Sequence, residues 1–115
     1  MALRITDNQV QGVSILALDG RVVFGEEAAT LREKVKSMID AGNKKLVLNV
    51  SNVTFIDSAG LGALVSAHHT TATSGGSLRL CNVGLKFKEM LQMTRMYTVF
   101  QVSETEVDAI QSFSK

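Results

Sequence analysis

The sequence contains no proline, one cysteine and almost no net charge. Each shortage excludes something. Without proline, no long rigid linker divides the chain. With Cys81 alone, no internal disulfide can form, which suits a reducing compartment. Twelve Lys and Arg against 11 Asp and Glu leave a formal charge of +1. A nucleic-acid footprint needs a basic patch or stripe. Here the local basic pairs are only Lys44-Lys45 and Lys86/Lys88, each read as a solvated edge, so no nucleic-acid partner is expected. No segment reaches the ~18 consecutive apolar residues of a membrane span. The start, Met1-Ala2-Leu3-Arg4, lacks the apolar stretch of a signal peptide. A soluble, cytoplasmic protein without a membrane partner is expected.

What is present is an ordinary globular composition, 45% apolar and 20% charged over 115 residues. That length makes one domain, residues 1–115, able to bury a core. Residues 3–10 alternate weakly, as an edge strand does. Val13–Leu18 is a stronger strand, joined to the first by a tight turn at Gln11-Gly12 and ended by the turn pair Asp19-Gly20. From Glu26 the period becomes helical, with Ala28, Leu31, Val35, Met38 and Ile39 on one stripe and Gly42 as its stop. Lys45–Val50 is a nearly continuous apolar run, the mark of a strand covered on both faces.

A second helix follows Ser58, with Leu61, Leu64, Val65 and Ala72 at core spacing, and runs out at Ser74-Gly75-Gly76. Leu78–Cys81 reads as a strand. Phe87, Met90 and Leu91 stripe a short helix. Val99–Val102 reads as the last strand. Ser103 with Glu106 reads as a capping box, opening a final helix whose Val107, Ile110 and Phe113 are buried. The order β-β-α-β-α-β-α-β-α predicts an α/β domain with right-handed crossovers. Its five-stranded sheet is mostly parallel, with one antiparallel strand and about four helices.

The most informative run is Asn52–Gly62, which sets Asp57-Ser58 before a helical pattern that opens with two glycines. Ser58 can cap that helix. It can also carry a phosphate, which the free N–H groups and positive end of a helix tolerate. A capping box would want Glu or Gln at the position of Leu61, which weakens the purely structural reading. Glycine within a helix costs ~1 kcal/mol relative to alanine. Gly60 therefore either packs against the sheet or keeps the approach to Ser58 bare. Gly62, four residues on and on the face of Ser58, reads as open for a partner. Asp57 either serves the site, by orienting the loop or accepting backbone hydrogen bonds, or is a loop aspartate bonding its own backbone.

No acid–base pair or serine-hydrolase elbow accompanies Ser58, so an enzyme is not expected. His68 and His69 are adjacent and diverge by about 100° on a helix, so no metal site is expected. His68 is read as a half-buried residue at the core edge and His69 as exposed. Cys81 has no cationic neighbour to lower its pKa and reads as inert. Met90, Met93 and Met96 read as core and edge filling. No cofactor is implied.

The run Asp57-Ser58-Ala59-Gly60-Leu61 resembles the Asp-Ser-x-Gly-Leu signature of STAS domains, shared by sulfate transporters and anti-sigma factor antagonists. The element order fits along nearly the whole chain. In the antagonist branch the serine after the Asp is phosphorylated, a role that carries over to Ser58. The resemblance implies a partner surface over Asp57, Ser58, Ala59, Gly60, Gly62 and Ser66. It implies an anti-sigma factor or related serine kinase as partner, a serine phosphatase to restore the protein, and a monomer or weak dimer. Many kinase-regulated members carry Gly-Glu-Leu-Asp after the second strand, where this chain has Gly20-Arg21-Val22-Val23-Phe24-Gly25. That loop is expected beside Ser58, with an altered docking surface. Many also end the third strand in Leu-Asp-Leu. Here Leu48-Asn49-Val50 offers an uncharged amide, which repels a nearby phosphate less. The alternative is a small-molecule-sensing STAS module, which calls for an apolar cavity near Val22-Val23-Phe24.

Overall fold

A computed structural model describes residues 3–114. Met1, Ala2 and Lys115, included in the domain read from the sequence, lie outside the described residues. The elements are β1 (Leu3–Val10), β2 (Val13–Val22), α1 (Glu26–Asp40), β3 (Lys45–Ile56), α2 (Ser58–Thr73), β4 (Ser77–Cys81), α3 (Leu85–Met93), a 3-10 turn (Met96–Thr98), β5 (Gln101–Ser103) and α4 (Glu106–Ser112). The five strands form one sheet in the order β1-β2-β3-β4-β5. Only β1 and β2 are antiparallel, and the other pairs are parallel.

The hairpin turns where expected. Gln11 and Gly12 both have positive φ, 54° and 80°, as a two-residue turn matched to strand twist requires. The expected stop at Asp19-Gly20 does not occur. β2 runs on to Val22, and β3 runs with it to Ile56 rather than ending at Val50. The pairing slips twice. Ala17 faces Asn49 but Asp19 faces Asn52, and Gly20 faces Val53 but Arg21 faces Phe55. β3 thus carries one extra residue at each slip. Gly20, at φ 121°, takes up the irregular backbone without turning it.

Alternation on β2 and β3 divides the core between two faces. Leu16, Leu18, Leu46 and Leu48 pack with Leu31 and Val35 of α1, Leu64 of α2 and Leu91 of α3. Val13, Ile15 and Val47 point to the opposite face, where Ala109 and Ile110 of α4 cover them. Burial on both sides is why Leu46-Val47-Leu48 is unbroken by polar residues.

Several end positions differ from the sequence reading. Ala72 is exposed, and Thr71 takes the inward place, its hydroxyl donating to the Ala67 carbonyl at 2.8 Å. The last strand is Gln101–Ser103, with Phe100 buried before it. The final helix is capped by Thr105, whose hydroxyl accepts from the Asp108 N–H at 3.1 Å, not by Ser103. Glu106 is drawn instead to Asn49, whose amide donates to it at 2.6 Å. Val107 is exposed. Phe113 is half-buried beneath the Arg79 guanidinium, 4.0 Å from its ring centre. Of the methionines, Met90 and Met96 pack on the core edge, while Met93 is exposed.

Candidate functional site

The long strand β3 delivers Asp57 to the C-terminal end of the parallel strands, where α2 begins. Asp57 has extended backbone, with φ −107° and ψ −176°, and it is the N-cap of α2. One carboxylate oxygen accepts from the Gly60 N–H at 2.8 Å. The other accepts from the Phe24 N–H at 3.0 Å. Its own N–H donates to the Val22 carbonyl at 3.3 Å. One residue therefore ties the end of β2 through its backbone, and the β2–α1 loop and the start of α2 through its side chain. These bonds favour the charged form and hold the carboxyl below its usual range, the Phe24 bond contributing most and the Gly60 bond next.

Asp57, not Ser58, fills the capping role that the sequence left open for the serine. Ser58 is the first residue of α2 and is exposed. Its hydroxyl stands at a helix start where N–H groups and the helix dipole favour an anion. Gly62 and Ser66 follow at the spacing of one helical face, and both are exposed. Beyond its chain neighbours and its own helix backbone, no described residue lies within 4 Å of where a Gly62 Cβ would sit, so that flank is open. Gly60 differs. A Cβ there would fall 1.8 Å from the Val22 carbonyl oxygen, so the residue is required by packing. Ala59, between Ser58 and Gly60, is half-buried.

The β2–α1 loop reaches the site as expected, through the Phe24 bond to Asp57. Phe24 is 80% exposed and Phe55, paired in register with Arg21, is 55% exposed. Two exposed phenyl rings thus stand at this end of β2 and β3. A small-molecule-sensing module called for an apolar cavity near Val22-Val23-Phe24. Val22 belongs to the core, and a shallow hollow of about 200 Å³ lies between the end of β3 and α3. Asn49 does not reach the Ser58 loop. Its amide donates to Glu106 and its oxygen accepts from the Ser51 N–H at 3.0 Å.

The remaining candidates stay apart. His68 is half-buried, edge-on to Phe100 at 5.4 Å, and His69 is exposed. Among the described residues, no three His, Cys, Asp or Glu side chains gather as a metal ion would need. Cys81 is fully buried, and burial, helped by nearby Glu106, pushes its thiol up to about 12. A thiol held there forms little thiolate near neutral pH. No helix among the described residues is long and apolar enough to cross a membrane. Sequence reasoning missed the double grip of Asp57, because a lone loop aspartate carries no sign of its distant partner. The same holds for the Asn49–Glu106 pair, which joins residues 57 positions apart.

The site's geometry and the sheet order agree with a sequence comparison: the STAS domain family profile matches residues 4–109. The chain belongs to the STAS domain family. An anti-sigma F factor antagonist of Paenibacillus polymyxa is 24% identical over 110 residues, covering 96% of this STAS chain and 94% of that protein. A crystal structure of a candidate anti-sigma factor antagonist from Thermotoga maritima matches with a TM-score of 0.89 at 24% identity, covering 96% of this chain and 95% of that one. The Bacillus cell fate determinant SpoIIAA, solved in its phosphorylated form, matches with a TM-score of 0.71 at 18% identity, covering 97% and 99% of the two chains. At these identities the solved structures establish the fold. The STAS chain is thus similar to anti-sigma factor antagonists along nearly its full length.

Proposed function

We propose that this STAS domain is a partner-switching regulator, controlled by reversible phosphorylation of Ser58. The observation that carries the reading is the division of labour at the start of α2. Asp57 supplies the cap, so the exposed Ser58 hydroxyl is spare. A residue that the fold does not need is free to be modified. The similarity to SpoIIAA, which has a phosphorylated form, supports the same reading.

The unmodified surface over Asp57, Ser58, Ala59, Gly60, Gly62 and Ser66 binds an anti-sigma factor or a related serine kinase. Within it, Ser58, Gly62 and Ser66 are the direct contacts, while Asp57 and Gly60 hold the shape. Phosphate on Ser58 adds about −1.5 to −2 charges where the partner's surface must sit. Buried against that surface, the charge is costly and the partner is released. A serine phosphatase resets the protein. The domain is a kinase substrate in the cytoplasm and performs no catalysis of its own. It acts as a monomer or weak dimer.

Mass spectrometry of the chain after incubation with ATP and an extract of its host tests the assignment. Phosphate on Ser58 is expected. Phosphate on Thr54 or Ser66, with Ser58 clean, would overturn it.

A further inference from the structure

The outer half of β3 is an anomaly in this sheet. β4 pairs only with Lys45–Asn49, yet β2 follows β3 as far as Ile56. Among the described residues, 50–56 therefore run beside a strand on one side and none on the other. The Ser51 N–H is taken up by Asn49, and among the described residues no strand pairs with the backbone groups of Asn52–Ile56 that face away from β2.

Sheet edges are normally blunted by charge, proline or shortness. The outer strands obey this rule. β1 bears Arg4 and Asp7, with Lys34 of α1 bridged to Asp7, and β5 is three residues long. The β3 edge does not. Residues 50–56, Val-Ser-Asn-Val-Thr-Phe-Ile, hold no charge and no proline. The two extra residues in β3 curve it, which discourages a long flat strand and leaves room for a short one.

Beside this edge lies the hollow of about 200 Å³. Val53, Phe55 and Ile56 form one wall and Phe87 and Met90 of α3 the other. Lys86 is the one charged residue of the lining, and it is exposed. Arg21, across from Phe55 on β2, adds a second exposed cation on the far side. The groove thus offers three features at once: open backbone, an apolar slot, and positive charge without a carboxylate in the lining.

We propose that this groove docks a short extended segment of a partner protein, apolar in alternate positions and acidic between them. Its apolar side chain fills the slot between Phe55 and Phe87. Its carboxylate meets Lys86. Its backbone pairs with Asn52–Ile56 as an added strand, the mode in which main-chain bonds supply affinity and pockets supply specificity. The groove leads into Asp57, so it continues the surface around Ser58. Its occupancy does not require Ser58 to be modified.

The test is a titration of the ¹⁵N-labelled full chain with the blocked octapeptide acetyl-Glu-Val-Glu-Phe-Glu-Val-Glu-Val-amide, followed by amide chemical shifts. Saturable shifts are expected at Val53–Phe55 and Lys86–Met90. Lys86→Glu should weaken binding by about tenfold or more, since a like charge then faces the peptide. Lys88→Glu is the matched control, because Lys88 lines a different hollow, with Val83 and Tyr97. It should change affinity by less than about twofold, as a charge outside the groove is screened by salt. Methylating alternate peptide nitrogens should abolish binding by removing the strand's donors. Four results would overturn the proposal: no saturable shift at millimolar peptide, shifts confined to other surfaces, equal loss in Lys86→Glu and Lys88→Glu, or undiminished binding of the methylated peptide. Self-association of the free chain through the same amides would assign the groove to a second copy instead, and would equally refute it.

Discussion

The two halves of β3 follow different rules. Leu46, Val47 and Leu48 are completely buried, with helices on both faces and strands on both edges. A few residues later, Ser51, Asn52, Thr54 and Phe55 are exposed; Asn52 and Phe55 pair with β2 on one edge only, and Ser51 and Thr54 fall at the two slips. The inner half holds the domain together. The outer half carries the chain out of the core and presents Asp57 and Ser58 at its end. One continuous strand thus gives the site rigidity without burying it. The binding and modification proposed for Ser58 would draw on that combination, since a loop alone would place Ser58 less well.

The sharpest way to break this comparison is to remove one large side chain from each half. Leu48→Ala should cost about 2–5 kcal/mol, because it deletes packed methyl groups and leaves a cavity. Phe55→Ala should cost less than about 1 kcal/mol, since more than half of the ring is already in water. Urea denaturation of both variants checks the pair. Similar losses would mean that the outer half also bears the fold.

The two glycines at the start of α2 extend the contrast. Gly60→Ala forces a methyl group to within 1.8 Å of the Val22 carbonyl and should destabilise by about 3 kcal/mol or more. Gly62→Ala meets nothing within 4 Å and should stabilise by about 0.5–1 kcal/mol, as alanine is the better helix former. Thermal melts of the two variants should move in opposite directions. A Gly62→Ala loss comparable to that of Gly60→Ala would erase the distinction between packing and approach.

A smaller effect belongs to Asp57. Its carboxyl is held below the ordinary value near 3.8 by the backbone bonds it accepts. A group whose pKa is lowered by folding stabilises fully above the unfolded value, and that contribution is lost as pH falls through the folded one. The contribution is therefore constant at neutral pH and disappears in acid below about pH 4. Asp57→Asn should flatten that part of the pH–stability curve. NMR should also show the Phe24 and Gly60 amides shifting together as Asp57 titrates in the parent chain. Independent movement of the two amides would mean that the carboxylate does not bridge them.

How much of this was legible in the sequence follows from the same contrast. The inner half of β3 was readable because burial on both faces leaves an apolar run. The outer half was not, because Ser51-Asn52-Val53-Thr54 shows neither a run nor a clean alternation. Only pairing with the equally irregular end of β2 makes it a strand. The helix start after it was plain, but the capping residue was not. Asp and Ser are both good caps, and the choice between Asp57 and Ser58 depends on where the strand stops. Ser103 and Thr105 posed the same ambiguity before α4, where the later residue, Thr105, is the cap. The turn at Gln11-Gly12 needed no such context, since positive φ at two successive positions belongs to the local chain.

The central claim is that Ser58 is spare in the fold and decisive at the surface. The most direct test measures, on the same samples, the melting temperature and the affinity for a purified anti-sigma factor of the host. The samples are unmodified, Ser58-phosphorylated and Ser58→Ala protein. With the cap supplied by Asp57, Ser58→Ala should melt within about 2 °C of the parent and bind as tightly. The phosphorylated chain should also keep its melting temperature, because a helix start tolerates negative charge, yet bind about a hundredfold more weakly. Equal affinity of the phosphorylated and unmodified chains, or a marked fall in the melting temperature of Ser58→Ala, would contradict the account.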